Sequence, residues 1–216
     1  MINCIQDNSK TYRSLDLSTI CPRLKAGNPC SYCYVQESRR KKYRAKGFYE
    51  THYNHEILRL KDSTLVKLNK MGGLRMFSFG DYEPWMDDDI KNILDDSALA
   101  GLRLKAITKQ PEFVKKYNKY KNLTINYSLD FNSGVPKWIR QYKTSNVKLR
   151  MMVRNEHEVK KYHRYVDILT PYHGRKINDN YRAVEAKEAC LNLAPQKTCC
   201  RTHDCSTCEV RCGYKN

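Results

Sequence analysis

Leu102-Arg-Leu-Lys-Ala-Ile-Thr108-Lys109-Gln-Pro111-Glu-Phe-Val-Lys-Lys-Tyr-Asn-Lys-Tyr120-Lys-Asn-Leu123-Thr-Ile-Asn-Tyr-Ser-Leu129-Asp130 carries one full structural unit. Leu102 to Thr108 and Leu123 to Leu129 are short apolar runs that read as strands, and Pro111 to Tyr120 between them reads as a helix. Strand, helix, strand in this order builds parallel sheets with helical crossovers.

Outward from this unit the alternation continues. Downstream, Pro136 to Tyr142 reads as a helix, Val147 to Val153 as a strand, Glu156 to Tyr165 as a helix and Val166 to Leu169 as a strand. Upstream, a helix from Met86 carries Ile90, Ile93, Leu94 and Leu99, with Asp87, Asp88 and Asp89 favourably placed in its first turn. Before it, Gly72-Gly73 introduces a strand from Leu74 to Phe79. Leu15 to Ile20 supplies the first strand, and a long basic excursion (Ser38 to Lys46) leads through Tyr49 and Tyr53 to a helical pattern at Ile57, Leu58, Leu60, Leu65 and Leu68. Six strands alternating with helices predict an α/β fold with a parallel sheet.

In such folds functional groups collect beyond the carboxyl ends of the strands. Those positions hold Cys21; Gly80, Asp81 and Glu83; Lys109 and Gln110; Ser128 and Asp130; Arg154; then Thr170 and Tyr172. The set is polar and mixed in charge. Each member also has a plainer use: the acids can favour a helix start, Lys109 can be a solvated loop residue, and Ser128 can face a helix.

The first strand ends at Cys21, and a loop with Gly27 and two prolines leads to Cys30-Ser-Tyr-Cys33-Tyr34. Three thiolates around a 4Fe-4S cluster leave one iron without a protein ligand, open to a small molecule. A zinc knuckle is the alternative for these three residues. At the other end, Cys200, Cys205, Cys208 and Cys212 are spaced for a tetrathiolate site, with Cys190, Cys199 and His203 as spare ligands. Zinc and an auxiliary iron-sulfur cluster both suit that spacing. His52, His55, His157 and His163 have no ligand-like partners in sequence, and His173 follows the sixth strand.

The Cys30, Tyr32, Cys33, Tyr34 pattern resembles the radical S-adenosylmethionine (SAM) enzymes, whose usual Cys-x3-Cys-x2-Cys signature is here lengthened to Cys-x8-Cys-x2-Cys. The lengthened gap is similar to a phage-associated branch related to spore photoproduct lyase. Over residues 12 to 172 the resemblance implies a partial (βα)6 barrel. It implies that Cys21, Cys30 and Cys33 hold a 4Fe-4S cluster and that either Asp81 or Glu83, in the segment from Gly80 to Glu83 that stands where the family has a Gly-Gly-Glu-like run, receives the methionine amino group. Thr108-Lys109-Gln-Pro111-Glu112 resembles a turn whose lysine approaches the SAM carboxylate, and Ser128 and Asp130 lie where the fourth strand meets bound SAM. The implied activity is reductive cleavage of SAM to a 5′-deoxyadenosyl radical, which abstracts hydrogen from a substrate, with a one-electron reductant as partner.

The expected organisation is a barrel over residues 1–174 and a helix plus cysteine-rich metal-binding tail over 175–216. At 216 residues the chain can bury a sizeable core. No apolar run reaches membrane-spanning length and the amino terminus lacks a signal-peptide pattern, so the expectation is a cytoplasmic protein with reduced thiols and no membrane partner. Forty Lys+Arg against 23 Asp+Glu give +17, which makes nucleic acid a candidate partner or substrate, although solvated lysines explain much of such an excess. The competing functional class is a non-enzymatic zinc protein that binds nucleic acid.

Overall fold

A computed structural model of the chain describes residues 5–6, 13–15, 17, 22, 60–70, 72–77, 80–130, 134–171 and 188–198. Seven strands form one sheet in sequential order: β1 (Ile5–Gln6), β2 (Arg13–Leu15), β3 (Leu74–Met76), β4 (Leu104–Thr108), β5 (Leu123–Leu129), β6 (Val147–Val153) and β7 (Ile168–Pro171). The first pair is antiparallel, and every pair from β2 to β7 is parallel. The five strands β3 to β7 curl into a half-barrel. Sequential order with helical crossovers keeps each strand beside the next, the arrangement of barrels rather than of doubly wound sheets.

The crossovers are α1 (Asp62–Lys70), α2 (Asp87–Leu99), α3 (Pro111–Tyr117), α4 (Ile139–Tyr142) and α5 (Glu156–Tyr162). Each presents apolar residues to one face of the sheet: Leu65 and Leu68, Ile90 and Ile93, Phe113 and Val114, Ile139, and Val159. They meet Leu74, Met76, Leu104, Ala106, Ile125, Leu149 and Met151, one alternating set of strand residues. Burying these side chains is the main stabilising term of the fold.

Strands β5 and β6 match the sequence reading end to end. The first parallel strand, expected over 15–20, is described over Arg13–Leu15, with Leu17 in a bend and both leucines buried; residues 18–20 lie outside the described residues. Strand β3 stops at Met76 because Phe77 takes a left-handed backbone, φ 60°. That conformation costs a non-glycine residue about 1–3 kcal/mol and is incompatible with continuing the strand. Strand β7 is displaced two residues forward to Ile168–Pro171, and the antiparallel β1 was not expected from sequence. The helices α3, α4 and α5 are each three residues shorter than expected.

Beyond β7, residues 188–193 are helical and place Ala189, Cys190 and Ala194 in the same core. A turn at Pro195–Lys197 then brings Thr198 alongside Leu169 as a parallel bridge on the outer edge of β7. Lys197 donates to the carbonyls of His163 and Val166 at 2.7 and 3.0 Å. The edge is therefore covered locally, which removes an open template for strand pairing.

Candidate functional site

The face of the sheet away from the helices has a different composition. In register across the strands it carries Arg75, Lys105 and Thr124; then Ile107, Asn126 and Lys148; then Ser128, Arg150 and Ile168; then Met152 and Thr170. Ile168 is buried yet stands outside the helix-side core, as its register requires. In a β/α half-barrel this is the inner face. Lys109 and Asp130 continue its parity one residue beyond β4 and β5.

Lys109 Nζ donates to Asp130 Oδ1 in an ion pair that joins the two strand ends, with side-chain exposures of 12% and 34%. The pair is charge-balanced and only partly solvated, so its electrostatics are stronger than those of a surface pair. Ser128, half-buried, lies two residues before Asp130 on the same face.

Asp81 occupies the loop after β3 and is 6% exposed. Its Oδ1 accepts from the Thr108 hydroxyl and from the Tyr82 N–H at 2.8 Å, and its Oδ2 accepts from the Lys109 N–H at 2.9 Å. The Thr108 oxygen in turn accepts from the Gln110 N–H at 2.9 Å. Burial pushes the Asp81 carboxyl above the usual carboxylate range, against the pull of these donors and of Lys109. Asp81 thus ties the loop after β3 to the turn that carries Lys109. Both of its oxygens serve that turn. Glu83 and Gly80, by contrast, are half-buried.

The loop between Asp81 and α2 is pinned from the helix side. Asp87 Oδ1 accepts from the hydroxyls of Tyr82 (2.9 Å) and Tyr117 (2.5 Å), and Oδ2 pairs with Lys116. Burial raises the Asp87 pKa, but hydrogen bonds from Lys116, Tyr117 and Tyr82 outweigh it and hold the carboxyl below its usual range. Burial, then the hydrogen bond to Asp87, pushes both tyrosine hydroxyls upward, so they remain donors. Phe113 packs against Phe77 and Tyr82 with ring centroids 5.1 and 5.4 Å apart, which holds the left-handed Phe77 in place.

Arg154, at the end of β6, is committed to Glu158, which accepts from its guanidinium and, at 2.7 Å, from its backbone N–H. Asn155 caps α5 by accepting from the Glu158 N–H at 2.9 Å. Arg154 therefore closes a helix start. Thr170 is fully buried and accepts from Arg150 Nε at 2.8 Å.

Of the residues singled out in sequence, Gly80, Asp81, Glu83, Lys109, Ser128 and Asp130 fall at three adjacent strand ends, and Asp81, Lys109 and Asp130 form one connected network. Cys21, Cys30, Cys33, Cys200, Cys205, Cys208 and Cys212 lie outside the described residues, as do Tyr172 and His173. Among the described residues no group of three or more His, Cys, Asp or Glu side chains could hold a metal ion. His157 is exposed, and His163 is half-buried with Nδ1 against the carbonyls of Val159 and Lys160. No described helix is long and apolar enough to cross a membrane. The Asp87 hub and the Arg150–Thr170 contact were not expected from sequence. Inner-face parity within Val147–Val153 is the signal that would have singled out Arg150.

A scan against protein-family models, a search of curated proteins and a search of solved structures each found no match.

Proposed function

We propose that the chain is a radical SAM enzyme. In this reading Cys21, Cys30 and Cys33 hold a 4Fe-4S cluster and SAM lies across the carboxyl ends of β3, β4 and β5. The observation that carries the proposal is the Lys109–Asp130 pair, set at neighbouring strand ends on the inner face of a parallel half-barrel. The donor set there fits the polar groups of SAM. Lys109 offers a cation to the methionine carboxylate, and Glu83 offers an acid to the ammonium. Ser128 and Asp130 offer partners to the ribose hydroxyls. Asp81, whose oxygens both accept from the chain's own donors, positions the Lys109 turn.

When bound, the cluster and SAM together supply one-electron reduction and a carbon-centred radical able to abstract hydrogen. The protein's share is to orient the ligand and exclude water. The carboxyl-terminal set Cys200, Cys205, Cys208 and Cys212 holds a second metal, either zinc or an auxiliary iron-sulfur cluster.

Anaerobic reconstitution with iron and sulfide, followed by reduction in the presence of SAM, tests the proposal. The expected result is a brown protein that releases 5′-deoxyadenosine. A colourless protein that retains zinc and yields none would overturn it in favour of the zinc-protein alternative.

A further inference from the structure

The inner face carries more positive charge than the Lys109–Asp130 pair uses. On β6, Lys148 and Arg150 lie two residues apart on that face, both half-buried. Their in-register neighbours on β5 are Asn126 and Ser128, and on β7 Ile168 stands beside Arg150. Neither Lys148 nor Arg150 meets an acid among the described residues. Arg150 is nonetheless oriented: Nε donates to the hydroxyl of the fully buried Thr170 at 2.8 Å, which fixes the guanidinium plane, and its two terminal nitrogens meet no acceptor among the described residues.

A guanidinium fixed through Nε presents a parallel pair of N–H donors, the geometry that matches two oxygens of one phosphate. Ile168 and Met152 flank it on the same face, and apolar flanks reduce the screening of an ion pair formed there. Lys148 adds a second, mobile cation one step along the strand, and Ser128 faces Arg150 directly across from β5.

We propose that Arg150 and Lys148 form an anion subsite inside the half-barrel that receives a phosphate group of the substrate. This rests on the radical SAM reading for its meaning: Ser128, at the edge of the SAM site, is the register partner of Arg150, so a phosphate on Arg150 sets its carrier beside the reacting centre. Phosphate binding itself is measurable without SAM.

The experiment uses the full reconstituted chain and three probes: inorganic phosphate, thymidine 5′-monophosphate and thymidine. Binding is followed by calorimetry and phosphorus NMR. Both phosphate-bearing probes should bind, and thymidine should not. Arg150→Ala should weaken phosphate binding at least tenfold, Arg150→Lys less, and Lys148→Ala several-fold. The Lys148 side chain makes no hydrogen bond among the described residues, so its removal keeps the test independent of folding at Arg150. Tighter binding of the nucleotide assigns the phosphate to a nucleotide substrate. Equal binding assigns it to a phosphate on any carrier, and either result supports the subsite. Parent-like affinity in both Arg150→Ala and Lys148→Ala, or thymidine binding as tightly as its monophosphate, would overturn it. Formation of 5′-deoxyadenosine without any probe reports separately on the radical SAM reading.

Discussion

The backbone N–H of Lys109 donates to Oδ2 of Asp81 at 2.9 Å, so an acid after one strand fixes the turn after the next. Removing that carboxylate leaves the Lys109 and Tyr82 amides and the Thr108 hydroxyl without their acceptor. Asp81→Ala should cost on the order of 3 kcal/mol in chemical denaturation, because buried donors left unsatisfied are expensive. The sign of the pH effect follows from burial, which holds the Asp81 carboxyl above its ordinary value of 3.8. The folded chain then keeps this proton longer than the unfolded chain does. Its contribution to stability is full below that ordinary value and is lost as pH rises through the raised one. Asp81→Asn, which cannot ionise, should flatten this fall at pH above 3.8; an unchanged slope would contradict the assignment.

Asp87 should behave in the opposite sense. Burial pushes its carboxyl up, but Lys116, Tyr117 and Tyr82 together hold it below 3.8. Its stabilisation is present above the unfolded value and is lost as pH falls through the lowered folded one. Asp87→Asn should therefore destabilise by roughly 2 kcal/mol at neutral pH, the scale of hydrogen bonds to a charged acceptor. The gap to the parent should close in strong acid. Denaturation curves at both pH values check this.

How much of this was legible from sequence depends on distance along the chain. Strands β5 and β6 alternate cleanly between the helix-side core and the inner face, and their limits were readable to the residue. Strand β3 read too long because nothing in Phe77-Ser-Phe79 signals a left-handed residue; Phe113, from the next crossover, holds it there. The acids and the lysine of the site are legible singly, as strand-end residues. Their connection is not, because Asp81 and Lys109 are 28 positions apart and become neighbours only when β3 and β4 pair. Arg150 is not legible in sequence for a similar reason: a cation in mid-strand reads as solvated until the sheet face is known.

Glycines at the ends of two successive crossovers, one before β3 and one before β4, give a contrast. Gly73 has φ 136°, and a Cβ there would lie 2.7 Å from the Arg103 carbonyl oxygen. Gly101 has φ 66° with open space around the missing Cβ. Gly101→Ala should cost about 1 kcal/mol from backbone conformation alone. Gly73→Ala must also displace the backbone between α2 and β4, and should cost about 2–3 kcal/mol. Thermal unfolding of the two variants tests the order; a larger loss at Gly101 would refute it.

At the proposed SAM site, Lys109→Ala should weaken SAM binding by roughly ten- to a hundredfold, the value of an ionic hydrogen bond in a partly desolvated site. Iron content should be unchanged. If Asp81 acts by holding the Lys109 turn, Asp81→Asn and Lys109→Ala should be strongly non-additive in a double-mutant cycle for SAM affinity. Additive losses would instead mean that Asp81 touches the ligand itself.

The segment after β7 separates into two parts that truncation can tell apart. Residues 188–198 bury Ala189, Cys190 and Ala194 in the core and bridge Leu169 through Thr198, whose hydroxyl donates to the carbonyls of Cys190 and Ala194 at 3.0 and 2.8 Å. Cysteines 200, 205, 208 and 212 follow that strap. A chain ending at 198 should keep the covered edge of β7 and most of its thermal stability, while losing the second metal proposed for those four cysteines. A chain ending at 187 should lose that proposed metal as well, and it also exposes the β7 edge and part of the core. It should unfold several degrees lower and aggregate, as open strand edges do. Metal analysis and thermal unfolding on both truncations make the comparison. Equal stability would show that the strap contributes nothing, and an unchanged metal count in the chain ending at 198 would show that the four cysteines hold none.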